Sequence, residues 1–138
     1  MQFGGALQAD GSHVFPVRVY YEDTDFSGNV YHAAYLKFFE RARTEFLRAH
    51  DVHHQQLFDE EGIAFAVRSM QIDYDRAAHD NLEATTSVLE MKGSRFILEQ
   101  ILRRGEDVIT RAKVVAVTMK ANGRPTRLPE RLRARFGG

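Results

Sequence analysis

The chain has 138 residues, which is enough for one domain with a real hydrophobic core and too few for two such domains. Lysine plus arginine equals aspartate plus glutamate at 19 each, so the net charge gives no electrostatic reason to expect nucleic acid or an anionic membrane as a partner. The absence of cysteine excludes disulfides, thiolate metal sites and a cysteine nucleophile.

The N-terminal segment, residues 1–12, has neither the basic start nor the long apolar stretch of a secretory signal. The sequence contains no apolar run long enough to predict a transmembrane span. We therefore expect a flexible segment over residues 1–12, a single domain over residues 13–138, and a cytoplasmic protein without an integral membrane segment.

The first predicted strand is residues 14–21, VFPVRVYY, which are rich in valine and aromatic residues. Ser27 and Gly28 then break the pattern, and from about Tyr31 the period changes to three and four residues. This period predicts an amphipathic helix of about four to five turns. Its apolar stripe comprises Tyr35, Phe38, Phe39, Ala42, Phe46 and Ala49.

Four further strands are predicted after a polar connection that contains one short helical turn around residues 55–59. They cover residues 63–75, 82–92, 95–104 and 107–120, and the breaks GS and GE between the last three are short enough for hairpins. A short basic helix over residues 129–136 follows. The sequence thus predicts an α+β fold, in which a curved antiparallel sheet of five strands wraps one long helix and leaves its outer face for a second subunit.

Residues 22–32, EDTDFSGNVYH, bring three carboxylates, a glycine and a histidine to the point where the first strand ends and the long helix begins. A helix N-terminus presents unpaired backbone N–H groups that can polarise an acyl oxygen, while a carboxylate attacks or activates water. These are the parts needed for acyl transfer. The alternative is that Asp23, Thr24 or Asp25 only caps a turn or helix, as such residues often do.

Four stretches carry a resemblance to a known family: residues 18–48, 65–80, 91–96 and 124–132. The first, RVYYEDTDFSGNVYHAAYLKFFERARTEFLR, resembles the signature of the 4-hydroxybenzoyl-CoA thioesterase family of hotdog-fold proteins, and more closely its YbgC branch of acyl-CoA thioesterases associated with the Tol-Pal system. The resemblance spans nearly the whole chain. It departs from the usual pattern at Asn29, and in a turn over residues 75–82 that is shorter than usual and has Ala77 in place of proline.

The resemblance implies an acyl-CoA thioesterase with three catalytic residues. Asp25 matches the catalytic carboxylate, which acts as nucleophile or general base, and the backbone N–H of His32 matches the group that polarises the thioester carbonyl. Tyr21 and the His32 side chain match two further residues used by the YbgC branch. No cofactor is implied, because coenzyme A is part of the substrate.

The resemblance also implies a dimer or a dimer of dimers, most often a homotetramer, with the active site at the dimer interface. Acyl carrier protein is a further candidate partner. Lysine and arginine are natural partners for the phosphates of coenzyme A. Arg68, Lys92, Ser94 and Arg95 are the residues that the resemblance suggests for this contact, and the alternative for each is a plain solvated side chain.

Two other groups of side chains favour structural explanations. His50, His53 and His54 beside Asp51 lack a spacing that places metal ligands on one face, so we expect solvated histidines and no metal site. Glu40 on the long helix has Arg43 three residues further on, which predicts an ion pair.

Two alternatives to a thioesterase remain open. One is a hydratase or dehydratase acting on acyl thioesters with the same fold, and the other is a non-catalytic scaffold that binds acyl-CoA or acyl carrier protein. The sequence leaves the acyl chain undetermined as well.

Overall fold

A computed structural model describes residues 3–136 of the chain. Within these residues there are six strands, β1 (Ala6–Leu7), β2 (His13–Val17), β3 (Ile63–Tyr74), β4 (Leu82–Lys92), β5 (Arg95–Arg104) and β6 (Asp107–Lys120). Three α-helices, α1 (Ala34–Ala49), α2 (His54–Glu61) and α3 (Glu130–Arg133), and two 3-10 turns, Tyr21–Asp23 and Ala134–Phe136, complete the described elements.

The strands form one antiparallel sheet in the order β1-β2-β4-β5-β6-β3. The predicted α+β architecture is confirmed, and the sheet has one strand more than expected. The additional strand is the two-residue β1, which pairs with β2 and lies inside the N-terminal segment 1–12, whose flexibility stays a prediction. The long strand β3 lies at the opposite edge and pairs with β6 alone.

Two glycines form the turns of the predicted hairpins. Gly93 between β4 and β5 and Gly105 between β5 and β6 each have φ of 60°. Two-residue hairpin loops favour this left-handed conformation because its twist matches that of the flanking strands, and glycine adopts it without steric cost. Both predicted hairpins are confirmed.

Helix α1 packs its apolar stripe against the concave face of the sheet. Tyr35, Phe38, Phe39, Ala42 and Phe46 are all buried, as the helical period predicts, while Ala49 at the end of the stripe is exposed. Each large side chain buried here contributes about 1.5–3 kcal/mol relative to full exposure.

Two predicted element boundaries are wrong by a few residues. Strand β2 ends at Val17 rather than Tyr21, because its partner β4 begins at Leu82, which is opposite Val17, and offers no further backbone groups. Helix α1 begins at Ala34, since Tyr31 accepts a backbone hydrogen bond from Ala34 and so closes a turn before the helix.

A buried hydrogen-bond network fixes α1 to the sheet and corrects the predicted Glu40–Arg43 ion pair. The Arg43 Nη1 donates to Gln100 Oε1 at 2.9 Å, and Gln100 Nε2 donates to the Phe39 carbonyl at 3.0 Å and to Thr86 Oγ1 at 3.1 Å. Gln100 is completely buried, so its carboxamide needs these partners. Arg43 turns toward it, and among residues 3–136 Glu40 forms no ion pair.

The histidines near the end of α1 differ from one another. His53 is exposed and lies 3.1 Å from Asp51 Oδ1, but the prediction of a solvated side chain is wrong for His50, which is buried. Its Nδ1 lies 2.9 Å from the carbonyl oxygen of Arg135 and its Nε2 lies 3.0 Å from that of Gly11. His50 thereby joins both terminal segments to the end of the helix.

No helix within residues 3–136 has the length and apolar character needed to cross a membrane.

Candidate active site

The acidic segment between β2 and α1 forms a narrow hairpin. Thr24 and Val30 make an antiparallel bridge, the Asp25 N–H donates to the Asn29 carbonyl at 2.9 Å, and the Tyr31 N–H donates to the Asp23 carbonyl at 2.7 Å. We call residues 21–32 the catalytic loop after the role predicted for Asp25. Its tip closes with a hydrogen bond from the Gly28 N–H to the Asp25 carbonyl at 3.0 Å, and Gly28 has φ of 85°. The paired backbone holds the tip in one shape.

Two aspartates of this loop differ in exposure. Asp23 is 6% exposed, and its Oδ2 accepts a hydrogen bond from the Tyr20 N–H at 2.9 Å, which is a local bond of the kind that the capping alternative describes. Asp25 lies two residues further on and is exposed. Both aspartates accept a hydrogen bond from a nearby backbone N–H, but only Asp25 keeps its carboxylate at the surface.

Ser27 donates two hydrogen bonds to the Asp25 carboxylate. Its side-chain hydroxyl and its backbone N–H both donate to Asp25 Oδ1, the latter at 2.8 Å. These two hydrogen bonds, the hydroxyl first, hold the pKa of Asp25 below its ordinary value. No residue among those described donates to Oδ2. Asp25 is thus a carboxylate with one oxygen restrained and the other available, as a nucleophile or general base requires.

His32 lies two residues before α1. Its carbonyl accepts a 3.1 Å hydrogen bond from the Tyr74 hydroxyl at the end of β3, and its ring centroid is 4.5 Å from that of Tyr31. No acceptor within residues 3–136 takes up its backbone N–H. An unpaired N–H beside a helix N-terminus can donate to a developing oxyanion.

Tyr21, the third predicted catalytic residue, opens the 3-10 turn and is 97% exposed. The structure brings Tyr21, Asp25 and His32 onto one loop with their side chains at the surface. This arrangement offers a carboxylate, a free N–H, a phenol and an imidazole to a ligand that approaches the loop from outside.

The four residues predicted to contact coenzyme A line one groove of about 780 Å³. Arg68 comes from the edge strand β3, Lys92 and Arg95 are directly paired across β4 and β5, and Ser94 is in the hairpin between them. Arg68 occupies a β-bulge, because Val67 pairs with Ala116 and Ser69 with Val115. The remaining lining residues are Ala66, Val67, Glu90, Gly93, Val117, Thr118, Met119, Gly123 and Pro125.

Within one protomer the groove lies at the middle of β3, and the catalytic loop is attached at the end of that strand. Six residues separate Arg68 in the groove from Tyr74, whose hydroxyl holds the loop. At about 3.3 Å per residue of strand, this separation is about 20 Å. The two predicted parts of the site are therefore not neighbours in a single chain.

A second cavity, of about 380 Å³, lies between α1 and the sheet. The polar part of its lining comprises Glu40, Arg43, Thr44 and His54. Burial lowers the pKa of both Arg43 and His54. The rest is mainly apolar and comprises Phe46, Leu47, Phe65, Ala66, Val67, Phe96, Leu98, Ala116 and Phe136. We call this cavity the helix pocket.

The family model of the thioesterase-like superfamily matches residues 19–136, which is most of the chain and includes every residue of the catalytic loop, the groove and the helix pocket. The chain belongs to this superfamily. The acyl-CoA thioesterase YbgC of Haemophilus influenzae is 45% identical to this chain over 130 residues, which cover 92% of this chain and 96% of that protein.

Other superfamily members are similarly close. The acyl-CoA thioester hydrolase YbgC of Escherichia coli O6:H1 is 41% identical over 126 residues, covering 88% of this chain and 93% of that protein. The crystal structure of a probable thioesterase from Bartonella henselae superposes with a TM-score of 0.81 at 43% identity, covering 86% of this chain and 99% of that one. The similarity confirms the predicted hotdog fold.

Several contributors to this thioesterase-family site were missed at the sequence level. Ser27 could have been found, because a serine two residues after an aspartate is typical of a turn in which the carboxylate accepts from the backbone. Tyr74 and the bulge at Arg68 give no such local signal, since both depend on strand pairing. Within residues 3–136 there is no cluster of three or more potential metal ligands, and independence from a cofactor stays a prediction.

Proposed function

We propose that this protein hydrolyses acyl-CoA thioesters to the free acid and coenzyme A. The observation that carries the proposal is the exposed carboxylate of Asp25, whose Oδ1 accepts hydrogen bonds from Ser27 on the loop that precedes α1. The relatives that share 41–45% of their residues with this chain over nearly their whole length are named acyl-CoA thioesterases, which supports the same substrate class here.

Asp25 acts on the thioester carbon in one of two ways. As a nucleophile it forms a mixed anhydride while the C–S bond breaks, the thiolate leaves and takes up a proton, and water then hydrolyses the anhydride. As a general base it takes a proton from water while that water attacks the same carbon, after which the C–S bond breaks and the leaving thiolate takes up a proton. In both routes the backbone N–H of His32 donates to the oxyanion, and Tyr21 and the His32 imidazole position the substrate or assist proton transfer.

The groove supplies the binding site for the nucleotide part of coenzyme A. Arg68, Lys92 and Arg95 bring three positive charges against one acid, Glu90, into a single groove, and Ser94 adds a hydroxyl. Such a cluster matches a pyrophosphate and a 3'-phosphate. If each of these residues were a plain solvated side chain, there would be no reason for all four to line the same groove. Their location in one groove therefore favours a role in binding coenzyme A.

In this proposal the complete site is built from two protomers. Arg68 in the groove and Tyr74, which holds the loop, are about 20 Å apart along β3, and the substrate bound in the groove of one protomer extends to the loop of a second protomer. Exposed aromatic side chains around the loop, at 57% for Tyr20, 103% for Phe26 and 48% for Tyr31, favour a partner surface there. We therefore propose a homodimer as the active unit, and a dimer of dimers as the homotetramer expected for the family.

Three finer proposals rest on the YbgC resemblance. They are a cytoplasmic location, an association with the Tol-Pal system, and acyl carrier protein as an additional acyl donor. The high identity to the two YbgC proteins supports them. Hydrolysis of an acyl-carrier-protein thioester by the purified protein tests the last of them directly.

The deciding experiment measures thiol release with a chromogenic reagent from short-chain, long-chain and aromatic acyl-CoAs. The protein contributes no thiol background because it has no cysteine. Wild type is compared with Asp25→Asn, and with Glu22→Gln as a control on the same loop. We expect a loss on the order of 10²–10⁴-fold for Asp25→Asn alone, the range of acid–base catalysis by one side chain.

Two outcomes would contradict a thioesterase. Loss of enoyl absorbance from an enoyl-CoA without thiol release would favour the hydratase alternative. Tight binding of acyl-CoA by the folded oligomer, with no turnover of any thioester, would favour the non-catalytic scaffold.

A further inference from the structure

The catalytic loop is attached to the core through Val30. Asp23 and Val30 are the two buried residues of the loop. The Val30 N–H donates to the Ala78 carbonyl at 2.6 Å. Val30 also forms the antiparallel bridge with Thr24, which is the residue before Asp25. The position of Ala78 therefore sets that of Val30 and, through the bridge, that of Asp25.

Ala78 lies in the connection between β3 and β4. It is completely buried, whereas the other residues of the connection, 75–81, are exposed. The connection is held at its start, because the N–H groups of Asp75 and Arg76 both donate to the Ile109 carbonyl, at 2.9 and 3.1 Å. Ala78 is thus the point at which an exposed connection reaches the core and meets the catalytic loop.

Tyr35, in the first turn of α1, contacts both supports of the catalytic loop. Its ring packs edge-on against that of Tyr74 at a centroid distance of 5.2 Å. The Tyr74 hydroxyl in turn donates to the His32 carbonyl. The Tyr35 hydroxyl faces the backbone of Ala78. Tyr35 is 3% exposed, so protein groups rather than solvent surround it.

The direction of each effect on the pKa of Tyr35 indicates which group of Ala78 faces its hydroxyl. Burial raises this pKa, and the contacts with the Ala78 backbone and with Thr110 lower it. A hydrogen-bond donor favours the phenolate and lowers the pKa. The Ala78 N–H therefore faces Tyr35, while the Ala78 carbonyl accepts from Val30. The Thr110 contact is looser than a hydrogen bond, since Thr110 Oγ1 has no hydrogen-bond partner among the described residues.

We propose that Tyr35 is a positioning residue, which holds the Asp25 carboxylate and the His32 N–H in a fixed relation to each other. The inference rests on the proposed function and adds a residue to its mechanism. On the Asp25 side Tyr35 acts through Ala78. On the His32 side it acts through Tyr74. Tyr35 does not itself contact the reacting atoms.

The two catalytic groups must keep their relation because they act on one carbonyl group. Asp25, or the water that it activates, attacks the thioester carbon, while the His32 N–H donates to the oxygen of the same group. Their supports come from different parts of the chain, namely the end of β3 and the connection after it. Tyr35 joins these supports to α1, and small displacements of a catalytic group are costly.

Tyr35→Phe removes the hydroxyl and retains the ring, so it releases Ala78 and keeps the packing on Tyr74. We expect kcat for acyl-CoA hydrolysis to fall on the order of tenfold. KM should stay as in wild type, because the groove proposed to bind coenzyme A is unchanged. Tyr35→Leu removes the ring as well and should lower kcat further.

Thr86→Val is the matched control for a loss of stability. Thr86 is completely buried on β4, and its hydroxyl accepts a 3.1 Å hydrogen bond from Gln100, outside the catalytic loop and its supports. This variant should lower the urea midpoint and keep the kcat of wild type. An equal fall of kcat in Thr86→Val and Tyr35→Phe would overturn the positioning role, since lost stability would then explain both.

Amide hydrogen exchange tests the positioning without relying on turnover. We expect the Val30 N–H to exchange faster in Tyr35→Phe than in wild type, relative to the Leu98 N–H of β5. If wild type hydrolyses no thioester, the proposed function fails, and faster exchange at Val30 still supports the attachment of the loop through Tyr35. Equal Val30 exchange in wild type and Tyr35→Phe would overturn the inference, and so would a wild-type kcat in Tyr35→Phe.

Discussion

The Tyr74 hydroxyl donates a 3.1 Å hydrogen bond to the backbone carbonyl of His32 and so attaches the catalytic loop to the end of β3. The peptide unit that follows this carbonyl leads into α1. A second contact, from the Val30 N–H to the Ala78 carbonyl at 2.6 Å, joins the loop to the segment after β3. The edge strand therefore sets the position of His32, although Tyr74 is not itself one of the proposed catalytic residues.

Tyr74→Phe removes this hydrogen bond and retains the ring. We expect kcat for acyl-CoA hydrolysis to fall on the order of tenfold or more, because small displacements of a catalytic group are costly. The free energy of unfolding should change by only about 0.5–1.5 kcal/mol, as for one hydrogen bond. Steady-state kinetics and urea unfolding measure the two effects, with Tyr20→Phe as the control. Equal kcat in wild type and Tyr74→Phe would show that the contact does not position the loop.

His32→Pro deletes the backbone N–H that has no acceptor within residues 3–136, while His32→Ala deletes the imidazole and keeps that N–H. Loss of one oxyanion donor costs on the order of 100-fold or more in kcat. We expect kcat of His32→Pro to fall by this factor relative to His32→Ala, which lacks only the imidazole. The circular dichroism spectrum of His32→Pro should match that of wild type. Full activity in a folded His32→Pro protein would exclude the oxyanion role.

The sequence predicted the parts of the fold that local patterns determine. Strands β4, β5 and β6 were placed at their observed bounds, because alternating side chains and the glycine turns at Gly93 and Gly105 mark them locally. Strand β1 was missed since two residues give no periodicity, and it forms only because Ala6 and Leu7 pair with Val14 and His13. The pattern after Val17 continues like a strand, but its partner strand has ended.

The candidate site likewise contains features that local sequence patterns indicate and features that depend on long-range contacts. The contiguous residues indicated only an acidic segment before the long helix, and the assignments of Asp25 and His32, like the groove residues Arg68, Lys92, Ser94 and Arg95, came through the resemblance. The partner of Arg43 is Gln100, 57 residues away, so the local pairing with Glu40 was the wrong inference. Long-range partners of this kind depend on tertiary packing, which local periodicity does not encode.

Ser27→Ala tests what lowers the pKa of Asp25. The Ser27 hydroxyl is the largest cause of the lowered pKa, so its removal should bring that pKa back toward the ordinary value of 3.8. Activity requires the ionised carboxylate, and the acid limb of the pH profile would therefore move to higher pH. Carbon-13 NMR titration of the Asp25 carboxyl measures the shift, and Thr24→Ala removes a neighbouring hydroxyl that does not contact Asp25. An equal pKa in wild type and Ser27→Ala would contradict this account.

His13 makes stability depend on pH near neutrality. Burial lowers the pKa of His13 below the ordinary value of 6.5 and outweighs the hydrogen bond to the Gly4 carbonyl and the charge of Glu45, which both raise it. The Nδ1 atom of His13 has no hydrogen-bond partner among the described residues. The pKa of His54 is lowered too, first by burial and then by Arg48. The unfolded chain therefore binds these protons first, so the free energy of unfolding falls as pH drops below about 6.5.

Urea unfolding at pH 7.5 and pH 5.5 measures this effect. His13→Gln retains a side-chain donor for the Gly4 carbonyl and does not titrate, so it should reduce the difference between the two pH values. His53→Gln replaces an exposed histidine and serves as the control. If the pH dependence is the same in wild type and His13→Gln, the buried imidazole is not its source.

The contact between Arg43 and Gln100 gives a test of what holds α1 to the sheet. Arg43→Met leaves the buried Gln100 oxygen without its donor, and an unsatisfied buried acceptor costs about 1–3 kcal/mol of unfolding free energy. Gln100→Met removes the acceptor of a guanidinium that is itself partly desolvated, and should cost a comparable amount. In the double variant both polar groups are absent, so its loss should be smaller than the sum by about 0.5–3 kcal/mol. Urea denaturation of the four proteins measures this coupling, and strict additivity would show that the hydrogen bond contributes no net stability.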